Sequence, residues 1–400
     1  MKRQVEISLM KRIFQGIESR QTADMAEDLC QFPIEIYTSH ELFLKEKNTL
    51  FREFPLAVGF SSQVPNPGEY LTNDLTETPI IVIRNEDGVL SAYINACRHR
   101  GARMLNEPSG NCKRNLVCPY HGWCYAAKDG ALRSLPHPIG FPGLDKSEYG
   151  LIALPVEERF GIIFVLPSPN KTLQLDAYLG ELFQDMESFG YHNHVLYKSG
   201  SQQRKMNWKF HVEVNSEIYH FAFLHQKSSA ENYLNFGAVF DYQKPHSRMI
   251  APQKSILKMM TRDESEWKLE GNVGLVYFLF PNMLYFTAFG YGHVLSVFPQ
   301  DESHCTFMSG MLVPNLPRTP ENEKLWEFHY QNYWAAMNED MVMGENVHAT
   351  LRSGANTHHT FGRYEQMCAR FEKVVQEVIE RKYGLADMLQ DSVAKTVETL

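Results

Sequence analysis

Cysteine is scarce: the 400-residue chain has seven, Cys30, Cys97, Cys112, Cys118, Cys124, Cys305 and Cys368. An odd number spread thinly over a long chain is not the dense, even set from which small secreted domains build disulfide frameworks. Positive charge is in deficit, with 39 Lys and Arg against 47 Asp and Glu and a formal net charge of -8. No basic block stands out, so no nucleic acid and no anionic membrane surface is expected as a partner. The opening residues Met1-Lys2-Arg3-Gln4-Val5-Glu6 have no apolar secretory stretch. A cytoplasmic location is therefore expected, where thiols stay reduced and free for metal. Long uncharged runs are rare too. The exception, 271–300, holds no Asp, Glu, Lys or Arg, but Pro281-Asn282 and Gly290-Tyr291-Gly292 interrupt it. Breakers at that spacing suit short buried strands joined by turns, not a membrane span.

What is present describes a globular chain: 44% hydrophobic, 22% charged and 12% aromatic residues. The length suits one large core or two ordinary domains. Residues 1–45 read as a polar, helical N-terminal segment. Residues 46–167 read as a small all-β domain, with β-type runs at 69–75, 79–84, 90–96, 152–156 and 162–166 and hairpin signals at Asp87-Gly88 and Asp129-Gly130. Pro167-Ser168-Pro169-Asn170-Lys171 reads as a linker. Residues 168–400 mix a helix over 217–224, a largely strand-like stretch over 255–312, a long helix over 325–351 and an amphipathic helix over 367–379. The long helix carries Trp326, Tyr330, Trp334 and Met337 near helical spacing, which reads as core. The expected class is α+β, helices covering an antiparallel sheet, beside the all-β domain.

Two short loops concentrate metal-binding side chains. Cys97-Arg98-His99 is followed, after eighteen residues, by Cys118-Pro119-Tyr120-His121. Two thiolates and two imidazoles suit zinc, or a [2Fe–2S] centre with two His on one iron. The flanks Arg100-Gly101 and Gly122-Trp123 make the set resemble the Rieske motif, Cys-x-His with a distant Cys-x-x-His. That resemblance implies Cys97 and Cys118 on one iron and His99 and His121 on the other. Respiratory Rieske proteins carry a further disulfide, whose matching positions here are Ala102 and Tyr120, so it cannot form. The pattern is similar to that of ring-hydroxylating oxygenases.

Downstream, Asn207-Trp208-Lys209 precedes Glu217-Ile218-Tyr219-His220 and His225. Two imidazoles and one carboxylate on one face of an iron leave positions open for dioxygen and substrate. The stretch resembles the catalytic signature of Rieske non-haem iron oxygenase α-subunits, and the likeness covers nearly the whole chain. It implies His220 and His225 as ligands of mononuclear Fe(II). Glu217, where many members have Asp, is implied as a bridge from His220 to His121 of a neighbouring subunit. Glu213 matches an earlier family acid, but Val214 stands where relatives show Asn. His211 falls outside the motif and reads as a packing residue. Spacing alone leaves Glu339, Asp340 and Glu345 open as third ligand, and the resemblance favours Asp340. It also implies a helix-grip catalytic domain and a head-to-tail homotrimer, with a β-subunit neither required nor excluded.

The implied function is that of a terminal oxygenase. Electrons from NAD(P)H pass through a partner flavin reductase, with or without a ferredoxin, to the Rieske cluster and on to Fe(II), where O2 is activated. The chain itself has no Gly-rich dinucleotide fingerprint in strand–helix context. The expected reaction is mono- or dioxygenation of an aromatic or other apolar organic compound, as in aromatic hydrocarbon catabolism. Phe278, Phe280, Met283, Tyr285, Phe286, Phe289 and Tyr291 are the candidate pocket lining. Two alternatives are oxidative N- or O-demethylation, quaternary amines included, and a Rieske electron-transfer or redox-sensing protein without oxygenase activity.

Overall fold

The computed structural model describes residues 1–389 apart from 189, 227, 229 and 289. They form two compact units, Asn48–Leu175 and a larger one that joins Met1–Lys47 to the chain from Asp176 onward.

The smaller unit is built from three antiparallel sheets. Its largest sheet has five strands, in the order Ala153–Leu154, Leu90–Ile94, Ile80–Arg84, Glu69–Asn73 and Ser109–Asn111. Ile80–Arg84 is central and buried at every position, which its unbroken β-branched run Ile80-Ile81-Val82-Ile83 requires. The hairpin after it turns where expected: Gly88 takes φ +77°, and the Asn85 side chain accepts from the N–H groups of Asp87 and Val89. A second sheet pairs Asn115–Val117, Cys124–Ala126 and Leu132–Ser134. Ile81, Ile83, Tyr93, Trp123 and Tyr125 pack into one core that also takes in Cys97 and Cys118.

The larger unit centres on a seven-stranded antiparallel sheet. Its order is His194–Arg204, His304–Pro314, Tyr291–Asp301, Met283–Ala288, Val273–Leu279, His246–Pro252 and Val239–Gln243. The uncharged run at 271–300 supplies three of these strands, and Pro281-Asn282 lies in the turn between two of them. Among the described residues no helix is long and apolar enough to cross a membrane. The helix Pro320–Thr350 begins at Thr319, whose side chain accepts from the Asn322 N–H, with Pro320 in the first turn. Gln366–Ile379 buries Phe371, Val374, Val375 and Val378, as its periodicity predicts.

One helix departs from expectation. Over 217–224 only Phe221–Leu224 is helical, and the true helix lies earlier, at Trp208–Val214. Competing side-chain hydrogen bonds end it. Asn215 Nδ2 donates to the His211 carbonyl, Ser216 Oγ to the Val212 carbonyl, and the Glu217 carboxylate accepts from the backbone N–H groups of Tyr219 and His220. These bonds satisfy backbone groups locally and leave 215–220 as turns.

Asn207-Trp208-Lys209 has a structural task. Asn207 caps the helix by accepting from Lys209 N–H and donates to the carbonyls of Tyr37 and Glu302. Trp208 Nε1 donates to Glu46 at 2.8 Å, and the fully buried Lys209 Nζ reaches the same carboxylate at 2.5 Å and the Ile36 carbonyl at 2.6 Å. The N-terminal segment is thereby tied to the helix that leads into the turn bearing His220.

Candidate metal centres

The two Cys-His loops of the smaller unit share one backbone design. Cys97 N–H donates to Ala102 O and Gly101 N–H to Cys97 O; Cys118 N–H donates to Trp123 O and Gly122 N–H to Cys118 O. In each loop the fourth residue after the Cys is a Gly with positive φ, +75° at Gly101 and +69° at Gly122, which accounts for the equal Cys-to-Gly spacing of the two loops. The thiols are buried, whereas His99 and His121 are partly exposed and bring their Nδ1 atoms to 3.1 Å of each other. Trp123 stacks on His99 at 4.9 Å between centroids. The Tyr125 hydroxyl accepts from Arg98 N–H and lies 3.2 Å from Cys97 Sγ, to which it is free to donate. Burial pushes the Cys97 thiol up, Tyr125 opposes this, and the adjacent Cys118 adds to it. Two crowded thiols and two facing imidazoles fit a shared positive centre. Cys112 and Cys124 lie outside this set, and no cysteine is in a disulfide.

In the larger unit, ligand atoms of His220, His225 and Asp340 all lie within 4.8 Å of one another. The Nε2 atoms of the two His are 3.2 Å apart, and Asp340 Oδ1 is 3.0 Å from His225 Nε2 and 3.6 Å from His220 Nε2. His220 Nδ1 bonds to Glu217, and His225 Nδ1 bonds to Glu339 at 2.7 Å. A carboxylate only accepts, so each Nδ1 carries the proton and each Nε2 presents a lone pair. Two lone pairs then face a buried carboxylate oxygen that has no hydrogen-bond partner among the described residues. Acceptors crowd together this way where a cation fits between them, and the donor set suits Fe(II). Burial pushes the Asp340 carboxyl up, against the lowering effect of His225.

Three acids that spacing could not separate have three positions. Asp340 faces the two His, Glu339 supports His225 from behind with Ser228 Oγ donating to it at 2.7 Å, and Glu345 bonds to Lys205 N–H and Arg204. Glu339 as outer partner of His225 was not foreseen; its only signal is its place beside the ligand. Glu213 turns away into a buried site where Tyr37 donates to it at 2.7 Å. His211 is fully buried, stacked on Phe307, and pushed down to about 3 by burial.

The triad stands at one end of a cavity of about 600 Å³ between the sheet face and the long helix. Of the residues expected around it, Phe286 and Tyr291 face it, while Phe278, Phe280, Met283 and Tyr285 are buried without lining it. Phe289 lies outside the described residues. Val214, in place of the family's Asn, forms part of the wall, as does Met337 of the long helix.

Residues 54–144 match the family model for the Rieske [2Fe-2S] domain, and residues 183–381 match that for the ring hydroxylating alpha subunit catalytic domain. The chain belongs to the Rieske oxygenase family. Members of this family carry a [2Fe–2S] cluster and a mononuclear iron. Relatives include the alpha subunit of biphenyl 2,3-dioxygenase from Rhodococcus jostii, 34% identical over 197 residues, 46% of this chain and 41% of that protein. The glycine betaine monooxygenase oxygenase subunit of Pseudomonas aeruginosa is 32% identical over 202 residues, 50% of this chain and 46% of that protein. The chain thus matches less than half the length of these curated relatives. Among solved structures, the quaternary ammonium Rieske monooxygenase CntA superposes with a TM-score of 0.76 at 23% identity, covering 89% of this chain and 96% of that one. Naphthalene 1,2-dioxygenase from Rhodococcus gives 0.71 at 18%, covering 94% and 98%. At such identities the likeness establishes the fold of this Rieske oxygenase chain.

Proposed function

We propose that the protein is the terminal oxygenase component of a Rieske system and oxygenates an aromatic or otherwise apolar organic substrate. The observation that carries this reading is the convergence of His220, His225 and Asp340 at the end of a cavity large enough for a small organic molecule. Cys97, His99, Cys118 and His121 would hold the [2Fe–2S] cluster, and His220, His225 and Asp340 the Fe(II). When bound, the cluster supplies single electrons and the Fe(II) supplies open positions for dioxygen.

The chain's own residues orient the site. Glu217 and Glu339 hold the Nδ1 protons of His220 and His225, which fixes both tautomers and aims both Nε2 atoms at one point. Ser228 anchors Glu339, and the turn at 215–220 sets His220 and His225 on a shared face. The largely apolar cavity wall suits an apolar substrate beside the triad.

The electron source is a partner NAD(P)H-dependent flavin reductase, with or without a ferredoxin. Head-to-tail trimers complete the relay, with Glu217 passing electrons between His121 of one subunit and His220 of the next. In support, Tyr219 and Phe223 are exposed beside His220, and Tyr120 is exposed beside His121. Inter-subunit electron transfer is described for a quaternary ammonium Rieske monooxygenase of similar structure. A quaternary amine is the second substrate reading, favoured by the rings of Phe221, Tyr233, Phe286, Tyr291, Phe328 and Tyr333 around the cavity. The test is His220→Ala in the reconstituted system: product formation is lost while the cluster's visible spectrum persists. Undiminished turnover in that variant would refute the oxygenase reading.

A further inference from the structure

The lining of the cavity narrows the substrate class, an inference that rests on the oxygenase reading. Cross-strand register sets Met249, Val276, Phe286 and His293 in one row across the sheet, and all four line the cavity. His329, Tyr333, Ala336, Met337 and Asp340 line it from the long helix. At a rise of about 1.5 Å per residue, Tyr333 lies about 10 Å along the helix axis from Asp340. There His293 stacks on Tyr333, with centroids 3.8 Å apart and planes 10° from parallel.

His293 is the odd member of its row. It lines the cavity with 8% of its surface exposed, and neither ring nitrogen has a hydrogen-bond partner among the described residues; Nδ1 is closed off by protein, which leaves Nε2 for a ligand. A largely buried imidazole without hydrogen-bond partners carries a desolvation cost, which a ligand group bonding to its free nitrogen relieves. Charge narrows the choice further. Among the described lining residues there is no Lys or Arg, and of the acids Glu217 and Asp340 face the two ligand His while Glu231 is exposed. A substrate carboxylate would be buried without a cation to pair with. A trimethylammonium group has no hydrogen-bonding atom for His293.

We propose that His293 is a specificity-determining residue, and that the substrate is a neutral aromatic molecule with a hydroxyl, carbonyl or ring N–H at the end remote from the carbon attacked. Such a molecule spans about two linked rings. Its polar group bonds to His293 while its far ring lies against His220, His225 and Asp340.

Equilibrium dialysis of the anaerobic holoenzyme against four probes tests this: biphenyl, 4-hydroxybiphenyl, biphenyl-4-carboxylate and phenyltrimethylammonium. The expected result is 4-hydroxybiphenyl bound about tenfold more tightly than biphenyl, with both charged probes weaker than 4-hydroxybiphenyl. His293→Phe keeps a ring against Tyr333 and is expected to cut the hydroxyl preference, read as the ratio of the two affinities within the variant, to about twofold or less. His293→Gln, which retains hydrogen-bonding atoms, is expected to restore part of it. Equal binding of the neutral pair, a preference that survives His293→Phe, a charged probe binding tightest, or no binding of any probe each overturns the proposal. The wild-type ranking stands even if a variant fails to fold. Binding needs no turnover, so failure here leaves the oxygenase reading intact, whereas absence of iron from the His220 site would sink that reading by a separate measurement.

Discussion

Glu339 and His225 are joined by a 2.7 Å hydrogen bond from the imidazole Nδ1–H to the carboxylate, on the side of the ring away from Asp340. The bond fixes the tautomer that aims Nε2 at the triad. Glu339→Gln replaces an acceptor-only partner with an amide that tolerates either tautomer. Fe(II) affinity at the mononuclear site is expected to fall by about 10- to 100-fold. Iron retained after dialysis against a graded chelator measures this, and retention equal to wild type would deny Glu339 its role.

Tyr125 sits 3.2 Å from Cys97 Sγ and accepts from Arg98 N–H, which leaves its hydroxyl proton free to donate to a ligand thiolate there. A donor at a ligand sulfur stabilises the more negative, reduced cluster. Tyr125→Phe is therefore expected to lower the reduction potential while the cluster remains in place. An EPR-monitored redox titration reads the shift, and an unchanged or raised potential would contradict it.

Lys209 and Glu46 form an ion pair with almost no solvent contact. Removing Lys209 leaves the Glu46 carboxylate buried without its cation, though Trp208 Nε1–H still donates to it. Lys209→Met is expected to cost about 3–5 kcal/mol of unfolding free energy, and adding Glu46→Gln should recover part of it. Denaturant unfolding of the three proteins decides, and a Lys209→Met loss below about 1 kcal/mol would place this pair among surface-like bridges.

His246 is buried as the neutral imidazole: Phe280 N–H donates to Nδ1, and Nε2 donates to the Tyr178 carbonyl. Burial pushes it down to about 4, from an ordinary value near 6.5. The unfolded chain therefore binds a proton that the folded chain refuses. Stability is full above about pH 6.5 and falls as pH drops toward 4, by up to ~1.4 kcal/mol per pH unit for this group. His246→Gln should flatten the decline between pH 6.5 and 5 in unfolding measurements. An unchanged slope would mean that His246 is already protonated in the fold.

Much of the site is legible in the sequence because ligand chemistry fixes residue type and spacing together. Cys97, His99, Cys118 and His121 stand out on that ground, as do His220 and His225. The support around them is not, because it depends on which atoms meet. Glu339 and Asp340 are adjacent acids on one helix, and only the fold assigns one to face the His pair and the other to back His225. The strands at 271–300 follow from their breakers, yet alternation alone could not say which face meets the cavity. Phe286 and Tyr291 do, while Phe278 and Tyr285 pack into the interior. The helix expected at 217–224 failed because Asn215, Ser216 and Glu217 bond to the backbone locally, a competition that hydrophobic periodicity does not register.

The central claim is two metal centres on one chain. Iron and acid-labile sulfide per chain, measured on anaerobically purified protein, test it most directly. The account predicts about three irons and two sulfides, one [2Fe–2S] cluster plus one mononuclear Fe(II). About two irons and two sulfides, unchanged after Fe(II) reconstitution, would contradict it and leave a Rieske electron carrier in its place.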